Sequence, residues 1–444
     1  MLNILGGKQR FCDGVSRRNF LKIGGLALGG LSLPQILHAE EAAGIRKSNK
    51  AVIMVYLPGG PPHQDLVDLK PDAPSGYKSP YKPIKTNIPG IEISEHMPRM
   101  AKMMDQFTIV RSLVGARNEH ASNLCLTGYA IGEDRQHQQP SLGSAVSRIY
   151  GAADPAVPPF VELIPRTSHA PYSNPGQPGY LGLAYSGVRT DGQVMQDLTL
   201  KGITLDRLGD RQRLLSSLNR YRKIADASGV LDSLDGVNAR AFDMLTSSKF
   251  VKAMDVTRED PKLRDRYGRG SSKAITDAGQ DWNDQFLVAR RLVEAGVRCV
   301  TIGFGGWDYH QFWNPQPGPQ SGRLDQALSA LVQDLNDRGL SDDVSVVAWG
   351  DFGRTPRFNK QHGRDHWPTV SFAILAGGGM RHGQVIGSTN KLAEHADERP
   401  VHYRDVFATL YHNMGIDVRL PQLRDPENRP RYLVQGHLPI EELI

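Results

Sequence analysis

The sequence predicts an α/β fold, a largely parallel central sheet flanked by helices on both faces. Three observations carry that expectation. Short apolar runs end in polar loops, and from Asn283 to Trp349 helical and strand patterns alternate as in βα units. The polar loops hold carboxylates and imidazoles, which in open α/β sheets collect outside the carboxyl ends of the strands.

Lys50-Ala51-Val52-Ile53-Met54-Val55-Tyr56-Leu57 suits a buried first strand and stops at Pro58-Gly59-Gly60-Pro61-Pro62. The loop beyond it carries His63, Gln64, Asp65 and Asp68. Phe107 to Ser112 reads as a second strand leading into Arg117-Asn118-Glu119-His120. From about 152 to 280 the chain is irregular, with a charged, helix-compatible stretch from Asp206 to Ala225 and no strong strand, so an insertion over the sheet is expected. Asn283 to Ala295 spaces Phe286, Leu287, Arg290 and Val293 as a helix ending at Gly296, and the strand Arg298 to Phe304 follows at once. Leu324, Leu328, Leu331 and Leu335 recur at i, i+4, i+7 and i+11, with Gly339 in the C-cap place. This helix leads to the strand Val344 to Trp349, giving a βαβ unit expected to be parallel and right-handed. Val370 to Leu375 reads as a further strand and Asp405 to Met414 as a last helix. The main α/β domain is expected over 50–420, with 421–444 as a C-terminal tail.

The first 39 residues read as a twin-arginine export signal. Ser16-Arg17-Arg18-Asn19-Phe20-Leu21-Lys22 precedes an apolar, Gly-rich stretch from Ile23 to Leu33, too short for the roughly 20 residues a membrane span needs. The twin-arginine translocase is therefore an expected partner during export, the destination periplasmic or extracellular, and membrane attachment is expected only through an uncleaved signal. The signal also holds Lys8, Arg10, Arg17, Arg18 and Lys22 against Asp13, so most of the +6 net charge leaves with it. Nucleic-acid binding has little support on that balance. Cys125 and Cys299 are the cysteines beyond the signal, and Cys299 falls in an apolar run where it packs as a small hydrophobe. The sequence has no G-x-S-x-G elbow, H-E-x-x-H pair, P-loop or C-x-x-C pair, and Gly377-Gly378-Gly379 does not fit a dinucleotide fingerprint.

Asp308, His310, Asp351, Asp365 and His366 lie in three loops, two of which directly follow apolar runs. Asp and neutral His are ligand types that zinc and related divalent ions accept. With Asp65 from the first loop, the candidate metal ligands are Asp65, Asp308, His310, Asp351 and His366; Asp365, beside His366, is expected to orient an imidazole. Arg354 and Arg364 are candidates for holding an anionic substrate group. Glu119 and His120 are candidates for general acid or base.

Gly59-Gly60-Pro61-Pro62-His63-Gln64-Asp65, Asp68-Leu69-Lys70-Pro71, Arg111-Ser112, Leu126-Thr127-Gly128, Trp307-Asp308-Tyr309-His310, Gly350-Asp351-Phe352-Gly353-Arg354-Thr355-Pro356 and Gly363-Arg364-Asp365-His366-Trp367-Pro368 resemble a secreted bacterial family, domain of unknown function 1501. That family is grouped with alkaline phosphatases and sulfatases. The resemblance implies an alkaline phosphatase-like fold and a metal-dependent hydrolase of phosphate or sulfate esters, whose substrate is a small anionic ester or a sulfated or phosphorylated polymer. Zinc is the first expectation for the metal, with calcium or another divalent ion as alternatives. It places Asp65 and Asp351 at one metal position and Asp308, His310 and His366 at the other. Two departures stand out: Phe352 follows Asp351 where the superfamily has His, and Asn118 stands where its nucleophile is expected. A non-catalytic exported binding protein that keeps the fold, with or without one metal ion, is the second expectation.

Overall fold

The computed structural model describes residues 50–190, 248–271, 279–311 and 317–444. The export signal and the stretch 206–225 lie outside them. In chain order the strands of the central sheet are β1 (Ala51–Leu57), β2 (Phe107–Val114), β3 (Phe160–Leu163), β4 (Val188–Arg189), β5 (Cys299–Gly303), β6 (Val344–Gly350), β7 (Ser371–Gly377), β8 (Gln384–Ile386) and β9 (Val401–His402). Across the sheet the order is β8-β2-β7-β6-β1-β5-β3-β4, with β9 also beside β2.

β1 is parallel to β5 and β6, which flank it, and β3 and β4 continue the same direction. β7 alone runs antiparallel, to β6 on one side and β2 on the other, and β8 and β9 are parallel to β2. The expected βαβ unit is therefore parallel, but its two strands β5 and β6 have β1 between them.

Alternation along β1 explains why both faces are covered. Ile53 and Val55 belong to one apolar core with Phe286 and Leu287 of α2 (Asp284–Ala295) and Leu324 and Leu328 of α3 (Pro317–Asp337). Val52, Met54 and Tyr56 belong to a second core with Leu142 and Val146 of α1 (Leu142–Tyr150) and Val406 and Phe407 of α4 (Tyr403–Asn413). Each fully buried aliphatic side chain contributes roughly 1.5–3 kcal/mol, so a strand apolar on both faces is a strong nucleus for the sheet.

Two segments differ from the sequence expectation. Phe160–Leu163, within the stretch expected to lack a strong strand, is an inner strand paired with β5 and buried throughout. Four residues that include Glu162 are too short and too polar to stand out as a buried run. Residues 421–444, expected to trail as a tail, instead place Leu433, Val434, Ile440 and Leu443 in the second core. Among the described residues, no helix is long and apolar enough to cross a membrane.

Because β1, β2, β3, β5 and β6 share a direction, the loops that follow them emerge at one edge of the sheet. The candidate ligands lie in these loops.

Candidate metal centre

Close backbone contacts fix the loop after β5. Phe304 donates its N–H to Tyr56 O and Trp307 donates to Pro58 O, each at 2.9 Å. Gly59, at φ +92°, passes so close that a Cβ there would meet Asp308 N at 2.7 Å, so only glycine fits. The loop is also stitched to the one after β6, since Asn359 Nδ2 donates to His310 O at 2.9 Å. Gly353-Arg354 and His366-Trp367 form a short antiparallel pair that sets His366 opposite Arg354.

These constraints bring His120, Asp308, His310 and His366 together, each with a ligand atom within 4.8 Å of the others, a set able to hold a metal ion. Asp308 Oδ1 lies 2.9 Å from His310 Nε2 and 3.2 Å from His366 Nε2. The two Nε2 atoms are 2.9 Å apart. On the far edges of the rings, Asp365 Oδ1 stands 2.9 Å from His310 Nδ1, and Asn118 Oδ1 stands 2.6 Å from His366 Nδ1. Carboxylate and amide oxygens only accept, so these outer contacts favour a proton on each Nδ1, and in a neutral ring of that tautomer Nε2 presents a lone pair inward. Two lone pairs and a carboxylate oxygen then face one point, and a cation relieves their repulsion. A proton on one Nε2 is the smallest such cation; a divalent ion satisfies all three atoms. His120 Nδ1, 3.8 Å from Asp308 Oδ2, is buried with no hydrogen-bond partner, which also suits a ligand.

The electrostatics favour the ligating forms. Burial works against the Asp308 charge, but a hydrogen bond from His366 when its Nε2 carries a proton, together with the Arg354 guanidinium, outweighs it and holds the carboxyl well below the usual carboxylate range. Burial pushes the His120 imidazole down to about 4, only partly offset by Asp308, so the ring is neutral near pH 7. His310 is 41% exposed while His366 and Asp308 are each 14% exposed, so the centre opens to solvent on the His310 side.

Other candidates take different places. Asp65 is buried in a bidentate pair with Arg364, at 2.8 Å to Nε and 3.2 Å to Nη2. Asp351 is buried and accepts the N–H of Gly60 at 2.8 Å and of Gly59 at 3.1 Å; burial pushes its carboxyl up to about 7 against these hydrogen bonds. Neither joins the four-residue cluster, and Phe352 packs its ring 4.5 Å from that of His366. Glu119 turns away and accepts the N–H of Ile131 at 2.9 Å. The expectation that Arg354 and Arg364 bind a substrate anion is not met by their geometry. Both are fully buried: Arg354 donates to Gly60 O, Arg364 O, Gly59 O and Asp308, and Arg364 to Asp65, Thr355 O, Pro356 O and Tyr77 O. Arg354 instead braces Asp308, and Arg364 ties the loops after β1 and β6.

Sequence reasoning did not single out His169 or Tyr172, whose rings lie 5.4 and 5.0 Å from that of His120. They come from the loop after β3, and no spacing signal marks them once that strand is missed.

The profile of a family described as "Protein of unknown function (DUF1501)" matches residues 49–444. No curated protein matches the sequence. Among solved structures, the chain is similar to a lipoteichoic acid synthase from Listeria monocytogenes, at 11% identity and TM-score 0.35, covering 83% of this chain and 73% of that one. It is similar to a sulfatase from Pseudoalteromonas sp., at 11% identity and TM-score 0.35, covering 88% and 75%. A phosphonate monoester hydrolase from Silicibacter pomeroyi gives 9% identity and TM-score 0.35, covering 89% and 78%.

Proposed function

This chain belongs to the DUF1501 family, and we propose that it is an exported, divalent-metal-dependent hydrolase of the alkaline phosphatase/sulfatase-like kind, acting on a phosphate or sulfate ester. The supporting observation is the convergence of His310 Nε2, His366 Nε2 and Asp308 Oδ1, with Asp365 and Asn118 turning both imidazole lone pairs inward. Three imidazoles and one carboxylate are a donor set that zinc accepts more readily than calcium, which prefers oxygen.

When bound, a divalent cation supplies a Lewis acid for an ester oxygen and lowers the pKa of a water. The protein's part is to hold this constellation. Arg354 and the stitched loops fix Asp308; Asp365 and Asn118 fix the two rings; His310 marks the side from which an ester enters. Asp65 and Asp351 are committed to Arg364 and the glycine amides, which supports one cation rather than two.

A second reading is an exported, non-catalytic binding protein that keeps one metal ion. The saturation of Arg354 and Arg364 favours it, because neither guanidinium is left to clamp an anion. Elemental analysis of the mature protein, with turnover assays on aryl phosphate, phosphodiester and sulfate esters, separates the two. A hydrolase carries about one metal equivalent and loses turnover on Asp308→Asn; a binder carries metal and turns over none of the esters. Less than about 0.1 equivalent after metal-replete growth would overturn both.

A further inference from the structure

Around His120, one of the four residues of the proposed centre, lies a second group of polar atoms. His169 Nε2, Tyr172 Oη and His120 Nδ1 are all buried with no hydrogen-bond partner among the described residues. Their rings form one triangle, with centroids 5.4 Å apart for His120 and His169, 5.0 Å for His120 and Tyr172, and 4.8 Å for His169 and Tyr172. The arrangement is built rather than incidental. The loop carrying His169 is sewn to the one carrying His120, because Ser122 donates from its N–H to Pro171 O at 3.3 Å and from Oγ to Asn174 O at 2.9 Å. Within the loop, Thr167 Oγ1 donates to His169 O at 2.8 Å, and Tyr172 N donates to the same carbonyl at 3.1 Å.

A buried polar atom left unpartnered is destabilising, so neighbouring orphans in one triangle suit a place where a ligand supplies the missing partner. His120 Nδ1 finds its partner in the cation of the proposed centre. His169 stands one ring beyond His120 with its Nε2 unpartnered, and Arg354 and Arg364, which would otherwise meet an anion, are engaged elsewhere.

We infer that His169 is a ligand-positioning residue whose Nε2–H donates to an oxygen of a tetrahedral oxyanion, a phosphate or sulfate group, held at the metal centre. This rests on the metal centre proposed above and adds the group that orients the anion. Recognition by a single imidazole N–H, rather than by a guanidinium clamp, gives a weaker and more directional grip.

The test is calorimetric titration of inorganic phosphate, and separately of sulfate, into zinc-loaded wild type, His169→Ala and His169→Gln, with zinc content and melting temperature measured on each. His169→Ala is expected to keep its zinc and fold and to weaken binding of the anion about tenfold. His169→Gln, which retains an N–H donor at the same reach, is expected to recover most of that loss. Anion affinity within twofold of wild type in His169→Ala overturns the inference, as does loss of zinc from that variant, which would make His169 a metal ligand. A wild type that holds zinc but binds neither anion overturns this inference alone; a wild type that holds no zinc overturns the metal centre beneath it.

Discussion

Asn118 Oδ1 lies 2.6 Å from His366 Nδ1, across 248 residues of sequence. An amide in that place does no chemistry itself; it decides which edge of the imidazole carries the proton, and so which edge is free to bind a cation.

Asn118→Ala is therefore expected to lower zinc affinity about 10–100-fold without changing the fold, because His366 loses the acceptor that fixes its tautomer. Competition against a chromophoric chelator measures this. An affinity within twofold of wild type would sink the assignment.

Asp308→Asn removes the carboxylate that His310, His366 and Arg354 share. Zinc content is expected to fall from about one equivalent to near zero, and stability by about 1–3 kcal/mol as buried Arg354 loses a charged acceptor. Elemental analysis and urea denaturation read the two effects separately, and a variant that retains its metal speaks against Asp308 as a ligand.

Asp65→Asn has the opposite signature. It leaves Arg364, fully buried, without its charge partner, which costs about 3–5 kcal/mol, while zinc content is expected to stay unchanged. Loss of metal from a folded Asp65→Asn protein would return Asp65 to the ligand set.

Glu162 sets a pH dependence away from the centre. Burial pushes its carboxyl from the ordinary 4.5 up to about 7, against the pull of the Gly176 N–H and of Arg189. The folded protein holds that proton more tightly than the unfolded chain, so stability is lost as pH rises from about 4.5 to about 7 and is level above. Glu162→Gln is expected to gain roughly 1–3 kcal/mol relative to wild type at pH 8 compared with pH 4.5. Urea midpoints at the two pH values check it; an equal difference between the proteins at both would refute it.

The long strands were legible because β1, β5 and β6 are continuous apolar runs, and the leucine spacing from Leu324 to Leu335 showed α3. The reversal of β7 was not legible, since strand direction is set by tertiary pairing and not by composition. Position at a strand end found Asp308, His310 and His366, but it found Asp65 and Asp351 by the same rule. What separates the groups is the partner each carboxylate meets, Arg364 for one and the amides of Gly59 and Gly60 for the other. Those partners come from loop closures that sequence order does not reveal. His120 was expected as an acid or base, and its place in the cluster that could hold a metal ion follows from the path of the loop after β2.

The reversed strand β7 also bears on motion. The loop carrying Asp365 and His366 leaves the sheet at the end of β6 and re-enters it at the start of the adjacent, antiparallel β7. Both of its anchors are thus clamped to neighbouring strands at the same edge, which gives it the stiffness of a staple.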